Sequence, residues 1–328
     1  MARSSAAKKT KNTKKTLKPA AKAAAKGLGT LPEWDLTALY QGLDDPQVKA
    51  DLDAADREAV AFEQAYKGKL AAMAEAPGAG DLIAEAVKRY EKLDDLLGRL
   101  ISFAGLVHAG NTLDPARSKF YADIQERITA ASIHLLFFAL EMNRLDDAKL
   151  EAAMAAPALG HYRPWLEDIR KEKPYQLDDK IEQLFHEKSV TAYSAWNRLF
   201  DETIAGLRFK IGGKELAIEP TLNFMQDADG KKRKAASQAL AETFKKNLRQ
   251  FALITNTLAK DKEISDRWRG FKDIADSRHL SNRVEPEVVE ALVSAVRAAY
   301  PRLSHRYYKL KAKWFGKKTL PHWDRNAP

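Results

Sequence analysis

Apolar residues at alternating steps of three and four constrain this chain more than any other feature. Tyr90, Leu93, Leu97, Ile101 and Ala104 form one such series, and Ile124, Ile128, Ala131, Leu135 and Phe138 form a second. That spacing puts every member on one side of a 3.6-residue helix, so each series predicts an amphipathic helix with a buried stripe. Between them Asn111-Thr112-Leu113-Asp114-Pro115 predicts a break, with Asp114 capping the second helix and Pro115 at its first position. Further helices are expected around Ile181, Phe185, Ala192, Trp196 and Leu199, and around Leu248, Phe251, Ala252, Thr255, Leu258 and Ala259. Two more carry Val289, Leu292, Val293, Val296 and Tyr300, then Leu303, Tyr307, Leu310 and Trp314. Asp179 followed by Glu182 reads as a capping box. Glu285-Pro286-Glu287 reads as a helix start.

One segment breaks the helical period. Leu207-Arg208-Phe209-Lys210-Ile211 and Lys214-Glu215-Leu216-Ala217-Ile218 alternate around Gly212-Gly213, which predicts a β-hairpin near residues 207–218. The expected fold class is therefore mainly α with one small hairpin. With 16 Gly and 13 Pro in 328 residues, turn-rich β architectures are disfavoured. No uninterrupted apolar run is long enough to span a bilayer, so no membrane partner is expected. No cysteine is present, which excludes disulfides, thiolate metal sites and a Cys nucleophile in this sequence.

The net charge of +10 points to nucleic acid only until it is located. Nine Lys and Arg residues with no acid lie in residues 1–27, leaving +1 for the rest. The folded part is not expected to bind nucleic acid, and residues 1–28 read as a disordered basic tail of Lys, Ala and Thr. That tail lacks the apolar core of a secretory signal.

A His-Glu-x-x-His helix binds zinc through two imidazoles one turn apart, with the Glu as general base. Of the seven histidines only His186-Glu187 begins that pattern, and Val190 occupies the second ligand position. Asp227-Ala228-Asp229-Gly230 lacks the further ligands of a calcium loop and reads as a turn. Asp201 and Glu202 diverge by about 100° on a helix and do not form a dyad. His305 and His322 read as structural. Trp196, Tyr300, Tyr307 and Trp314 read as core. Tyr308, one step round from Tyr307, is the candidate residue for facing a cleft, where its phenol can donate a hydrogen bond. No catalytic, cofactor-binding or metal-binding residue is assigned.

Five blocks in order resemble the oligoendopeptidase F family of M3 zinc metallopeptidases. They are Leu31-Pro32-Glu33-Trp34-Asp35-Leu36-Thr37-Ala38-Leu39-Tyr40, Ser194-Ala195-Trp196-Asn197-Arg198-Leu199-Phe200-Asp201-Glu202, and Lys260-Asp261-Lys262 through Arg267-Trp268-Arg269-Gly270-Phe271. Asn282-Arg283-Val284-Glu285-Pro286-Glu287-Val288-Val289 and Asp324-Arg325-Asn326-Ala327-Pro328 complete the series. The resemblance implies a multi-helix peptidase in the cytoplasm, with an N-terminal helical domain over residues 29–205. Residues 206–328 would be the first part of a catalytic domain, ending ahead of the zinc motif. It implies Zn2+ in the full-length protein, with no ligand here, and short peptides as substrates cut by metal-activated water. It also implies a missing C-terminal catalytic half as the partner, and apolar faces after about residue 220 left uncovered. The chain alone is then an inactive front portion. The alternatives are a non-catalytic helical scaffold that binds peptides or partners, and a nucleic-acid-associated protein acting through the basic tail.

Overall fold

The computed structural model describes residues 34–328. The basic tail and the first three residues of the Leu31–Tyr40 block lie outside that range. The described chain is mainly helical, with one two-stranded sheet.

The N-terminal part is organised by three helices: α1 (Pro46–Tyr66), α3 (Ala79–Gly110) and α4 (Pro115–Arg144), with short α2 (Leu70–Glu75) between the first two. Asp45 and Asp114 start α1 and α4 as side-chain caps, each followed by proline, which has no N–H to leave unsatisfied there. Both periodic series face inward as expected: Leu93, Leu97, Ala104, Ile124, Ala131, Leu135 and Phe138 are all buried. The main core joins Leu93, Leu97, Ala131, Leu135 and Phe138 to Phe62, Leu70, Ile83 and Met142, with Leu150 from α5 (Asp147–Ala153), Leu159 from α6 (Pro157–Gly160) and Leu166 from α7 (Arg163–Lys171). Its centre is aromatic. Phe138 meets Phe62 edge-on at 5.1 Å and stacks with Tyr90 at 5.0 Å, geometries that favour the ring quadrupoles. A second cluster of Tyr40, Val48, Leu52, Leu100, Phe103 and Ile124 fixes the opening segment. There the Tyr40 hydroxyl donates to Asp51 at 2.8 Å, and Arg99 donates to the same carboxylate at 2.6 Å.

Beyond residue 170 come α8 (Asp179–Lys188), α9 (Tyr193–Gly206), β1 (Phe209–Ile211), β2 (Lys214–Leu216), α10 (Ile218–Phe224), α11 (Gly230–Lys246) and α12 (Leu248–Arg269). They are followed by α13 (Asp276–Ser281), α14 (Pro286–Ala299) and α15 (Ser304–Trp314). The hairpin is antiparallel, pairing Phe209 with Leu216 and Ile211 with Lys214. Gly212 and Gly213 turn it at φ +56° and +79°, a pair of left-handed residues that favours glycine at both positions. The cap of α8 differs from the expected one. Asp178, not Asp179, accepts from Lys180 N, while Glu182 reaches back to Leu177 N. The motif is one residue earlier because Asp178 holds the extended backbone of a cap and Asp179 is already helical.

Burial changes along the chain. No residue from 255 through 310 is buried. On α12 the buried side chain is Ile254, while Leu248, Ala252, Thr255 and Ala259 of the expected stripe are exposed. Tyr300, Tyr307 and Trp314, expected in a core, are also exposed, and Trp196 is half-buried. The helical period holds, but a stripe becomes core only where another element covers it: α9 covers one side of α12, where Phe251 meets Phe200 at 5.9 Å, and leaves the rest of that stripe exposed.

Candidate functional site

Two places gather polar side chains in a defined geometry. The first is a cleft of 580 Å3 between α3, α4 and α9, lined by His108, Tyr121, Tyr193, Asn197, Arg198 and Asp201 among others. The buried His108 ring stacks on Tyr121 at 5.1 Å with planes 7° apart. Its Nδ1 lies 3.5 Å from Ser118 Oγ. Gln125, also on the cleft wall, has a buried Oε1 with no hydrogen-bond partner. Arg198 faces both this cleft and a smaller one beside Lys119 and Glu202. The residues come from distant parts of the sequence, so only the packing of α9 near the α3–α4 pair creates the site.

The second holds the closing Asp324-Arg325-Asn326-Ala327 segment against α11. Arg233, 2% exposed, donates from Nη2 to Asp324 Oδ1 at 2.7 Å and from Nε to the same atom at 3.1 Å. Its Nη1 donates to the carbonyls of Asp227 and Ala228 at 2.6 and 2.9 Å. Lys317 donates to the other Asp324 oxygen. The buried Lys311 ammonium caps the carbonyls of Arg325, at 2.9 Å, and Ala327. His322 Nε2 meets Ser237 Oγ at 2.7 Å. Burial opposes the Asp324 carboxylate, but hydrogen bonds from Lys317 and Arg233 outweigh that and hold its carboxyl below the ordinary aspartate value. Every buried charge in this cluster has a partner, which is the condition for tolerating charge away from water. Sequence reading missed Arg233 inside the run Lys231-Lys232-Arg233-Lys234. The available signal was its distance of three and four from Ala236 and Ser237, which are buried on the same face of α11.

The remaining sequence candidates do not converge. His186 sits on α8 with a buried, unpartnered Nε2, and Val190 stands in the following turn. Asp201 and Glu202 are exposed on α9. Asp229 caps α11, and Asp227 closes the turn by accepting from Asp229 N at 2.8 Å. Tyr308 is 37% exposed on α15, with its ring 5.5 Å from that of Tyr307. Among the described residues no three or more His, Cys, Asp or Glu side chains come together to hold a metal ion. These residues therefore do not fit the zinc ion that the family resemblance implies. Among the described residues no helix is long and apolar enough to cross a membrane.

Comparison with known proteins agrees with the helical architecture. The Peptidase_M3_N family model, described as Oligopeptidase F, matches residues 141–209. Oligopeptidase PepF of Bacillus subtilis is 26% identical over 259 residues, covering 76% of this chain and 37% of that protein. The oligoendopeptidase F homolog of Borreliella burgdorferi is 23% identical over 250 residues, covering 76% of this chain and 42% of that protein. The crystal structure of oligoendopeptidase-F from Enterococcus faecium superposes with a TM-score of 0.74 at 18% identity, covering 86% of this chain and 56% of that one. The chain thus spans about two fifths of the length of the curated relatives it matches. The partial family-model match, the two relatives and the shared fold together make this chain similar to the oligoendopeptidase F family.

Proposed function

We propose that this chain supplies the N-terminal portion of a zinc-dependent oligoendopeptidase architecture that hydrolyses short peptides. In this reading the zinc ligands and the general base lie outside the 328 residues. The chain alone is inactive until a catalytic portion packs against residues 255–310. The observation that carries the reading is the stretch with no buried residue from 255 through 310, in which the apolar rows of α14 and α15 stand exposed. The likeness to relatives of which the match covers only 37% and 42% supports it. A cytoplasmic location belongs to the same proposal, and fractionation of cells carrying the tagged chain tests it.

The activity test uses the purified chain, a set of internally quenched peptides of varied length, and equilibrium dialysis against Zn2+. The expected result is no hydrolysis and no stoichiometric zinc. Chelator-sensitive cleavage by the pure chain would overturn the assignment of all chemistry to residues elsewhere.

The non-catalytic reading has one observation of its own. Both hydrophobic clusters are complete within residues 36–169, so the N-terminal part has a core without any further segment. For that reading the α3–α4–α9 cleft is the place to bind a peptide, with Arg198 and Asn197 for carboxylate and amide groups and Tyr121 and Tyr193 for side chains. Saturable binding of an uncleaved peptide, lost in Arg198→Ala, favours it.

A further inference from the structure

The cleft between α3, α4 and α9 gathers charges of both signs that the fold itself does not use. Arg198 and Asp201 stand three residues apart on α9, so they share one face of the helix, with Cβ atoms about 5–6 Å apart. Both line the 580 Å3 cleft. Among the described residues neither enters an ion pair, whereas Lys119, on the smaller cleft that shares Arg198, is held by Asp123. On the α4 wall Gln125 Oε1 is buried and has no hydrogen-bond partner, so it is an acceptor without a donor. The floor beside it is fixed, because His108 is 8% exposed and lies flat on Tyr121. Tyr193, Ile204 and Ile218 give the same cleft an apolar side.

These features select among ligands. An anion drawn to Arg198 meets the Asp201 carboxylate, and a cation drawn to Asp201 meets the guanidinium. An ion of one sign is therefore opposed by its like charge one turn away. A ligand with both charges on one carbon satisfies the two side chains together. Its carboxylate takes the Arg198 fork, and its ammonium donates to Asp201. An ammonium has further hydrogens to give, and the Gln125 oxygen can accept one. The cleft volume of 580 Å3 falls within the span of small-molecule sites, about 300–1,000 Å3.

We propose that the α3–α4–α9 cleft binds a free α-amino acid in its zwitterionic form, one with an apolar side chain. Arg198 holds the carboxylate, Asp201 and Gln125 hold the ammonium, and the side chain lies against Tyr193, Ile204 and Ile218. This occupant differs from the peptide of the second reading above, because a peptide bond at either end removes one of the two charges from the α-carbon. The inference rests on the cleft alone and holds whether or not the chain takes part in peptide hydrolysis.

The probes are L-phenylalanine, N-acetyl-L-phenylalanine, L-phenylalaninamide and a pentapeptide with phenylalanine at its centre, each titrated into the full chain by isothermal calorimetry. The expected result is that L-phenylalanine binds saturably and that each blocked form binds at least about tenfold more weakly, because each lacks one charge-assisted contact. Arg198→Met is expected to lose about tenfold for L-phenylalanine and to leave the amide, which has no carboxylate, unchanged. Asp201→Asn should lose about as much for L-phenylalanine and leave the N-acetyl form, which has no ammonium, unchanged. Gln125→Leu should weaken the two ligands that keep the ammonium and spare the N-acetyl form. The ligand that each variant spares establishes that its cleft is intact. Absence of saturable L-phenylalanine binding up to about 1 mM overturns the proposal. So does wild-type affinity for L-phenylalanine in any of the three variants. Equal binding of both blocked forms overturns it in favour of an uncharged apolar slot. A pentapeptide that binds more tightly than L-phenylalanine overturns it in favour of the peptide reading. The zinc-peptidase reading is decided separately by its own hydrolysis assay.

Discussion

At the scale of single residues the most consequential choice is the burial of Arg233 against Asp324. Neither side chain reaches water, and the guanidinium uses Nε, Nη1 and Nη2 on one carboxylate and two carbonyls. Removing one member of such a pair leaves the other charged and unpaired in a dry site, at a cost of about 3–5 kcal/mol. Asp324→Asn is therefore expected to lower the urea midpoint of the residues packed on α11 markedly. Arg233→Met combined with Asp324→Leu should recover part of the loss, because it removes both charges together. The pH dependence follows from the direction of the Asp324 shift. Its carboxyl is held below the ordinary aspartate value of about 3.9, so the folded state binds fewer protons than the unfolded one. The stabilisation is fully present above about pH 4 and disappears as the pH falls through the lower, folded-state value. Urea unfolding at pH 7 and at pH 3 should thus show a wide gap between wild type and Asp324→Asn at the first and a narrower one at the second. A gap that does not close on acidification would mean that Asp324 acts through packing rather than charge.

At the scale of elements, what the sequence made legible was local chemistry. Asp114-Pro115 and Gly212-Gly213 each impose a backbone conformation that few alternatives satisfy, and both elements stand where they were expected. The cap of α8 fell one residue off because Asp178 and Asp179 are chemically the same, and only the backbone angles distinguish cap from first turn. Close approach between helices leaves no such trace, as the glycines of α3 illustrate. A Cβ added at Gly80 would stand 2.4 Å from the Ala153 carbonyl oxygen and from the Ala156 Cβ, because α3 passes directly against α5 and the turn after it. Gly98, in the same helix, would meet nothing within 4 Å. Gly80→Ala must push backbone apart and is expected to cost about 1–3 kcal/mol. Gly98→Ala should stabilise α3 by about 0.5–1 kcal/mol by restricting the unfolded chain. Thermal unfolding of the two variants should move in opposite directions. Equal shifts would show that α5 yields freely and that the contact at Gly80 does not constrain the fold.

At the scale of the whole molecule, burial divides the chain more sharply than secondary structure does. Helices α3 and α4 have a core on their stripes, whereas α14 and α15 have equally regular stripes and no cover. Periodicity reports that a face is apolar and is silent on what packs there, which is why Tyr300, Tyr307 and Trp314 read as core and stand in solvent. The α3–α4–α9 cleft was illegible for the related reason that its residues meet only through packing between separate parts of the chain. Opening free energy follows buried apolar contact, so amide exchange should be slow across 83–104 and 124–142 and fast across 286–310, despite helix in both. The same contrast predicts the solution behaviour. Bare apolar rows of this kind promote self-association and dye binding. Replacing Val288, Leu292 and Val296 together by Gln should reduce light scattering and the binding of a hydrophobic dye. The main unfolding transition should stay within about 0.5 kcal/mol per substitution, the range of surface changes that touch no core. If the Gln variant instead unfolds early along with the N-terminal helices, the α14 row already supports a core, and the division between covered and uncovered helices is wrong.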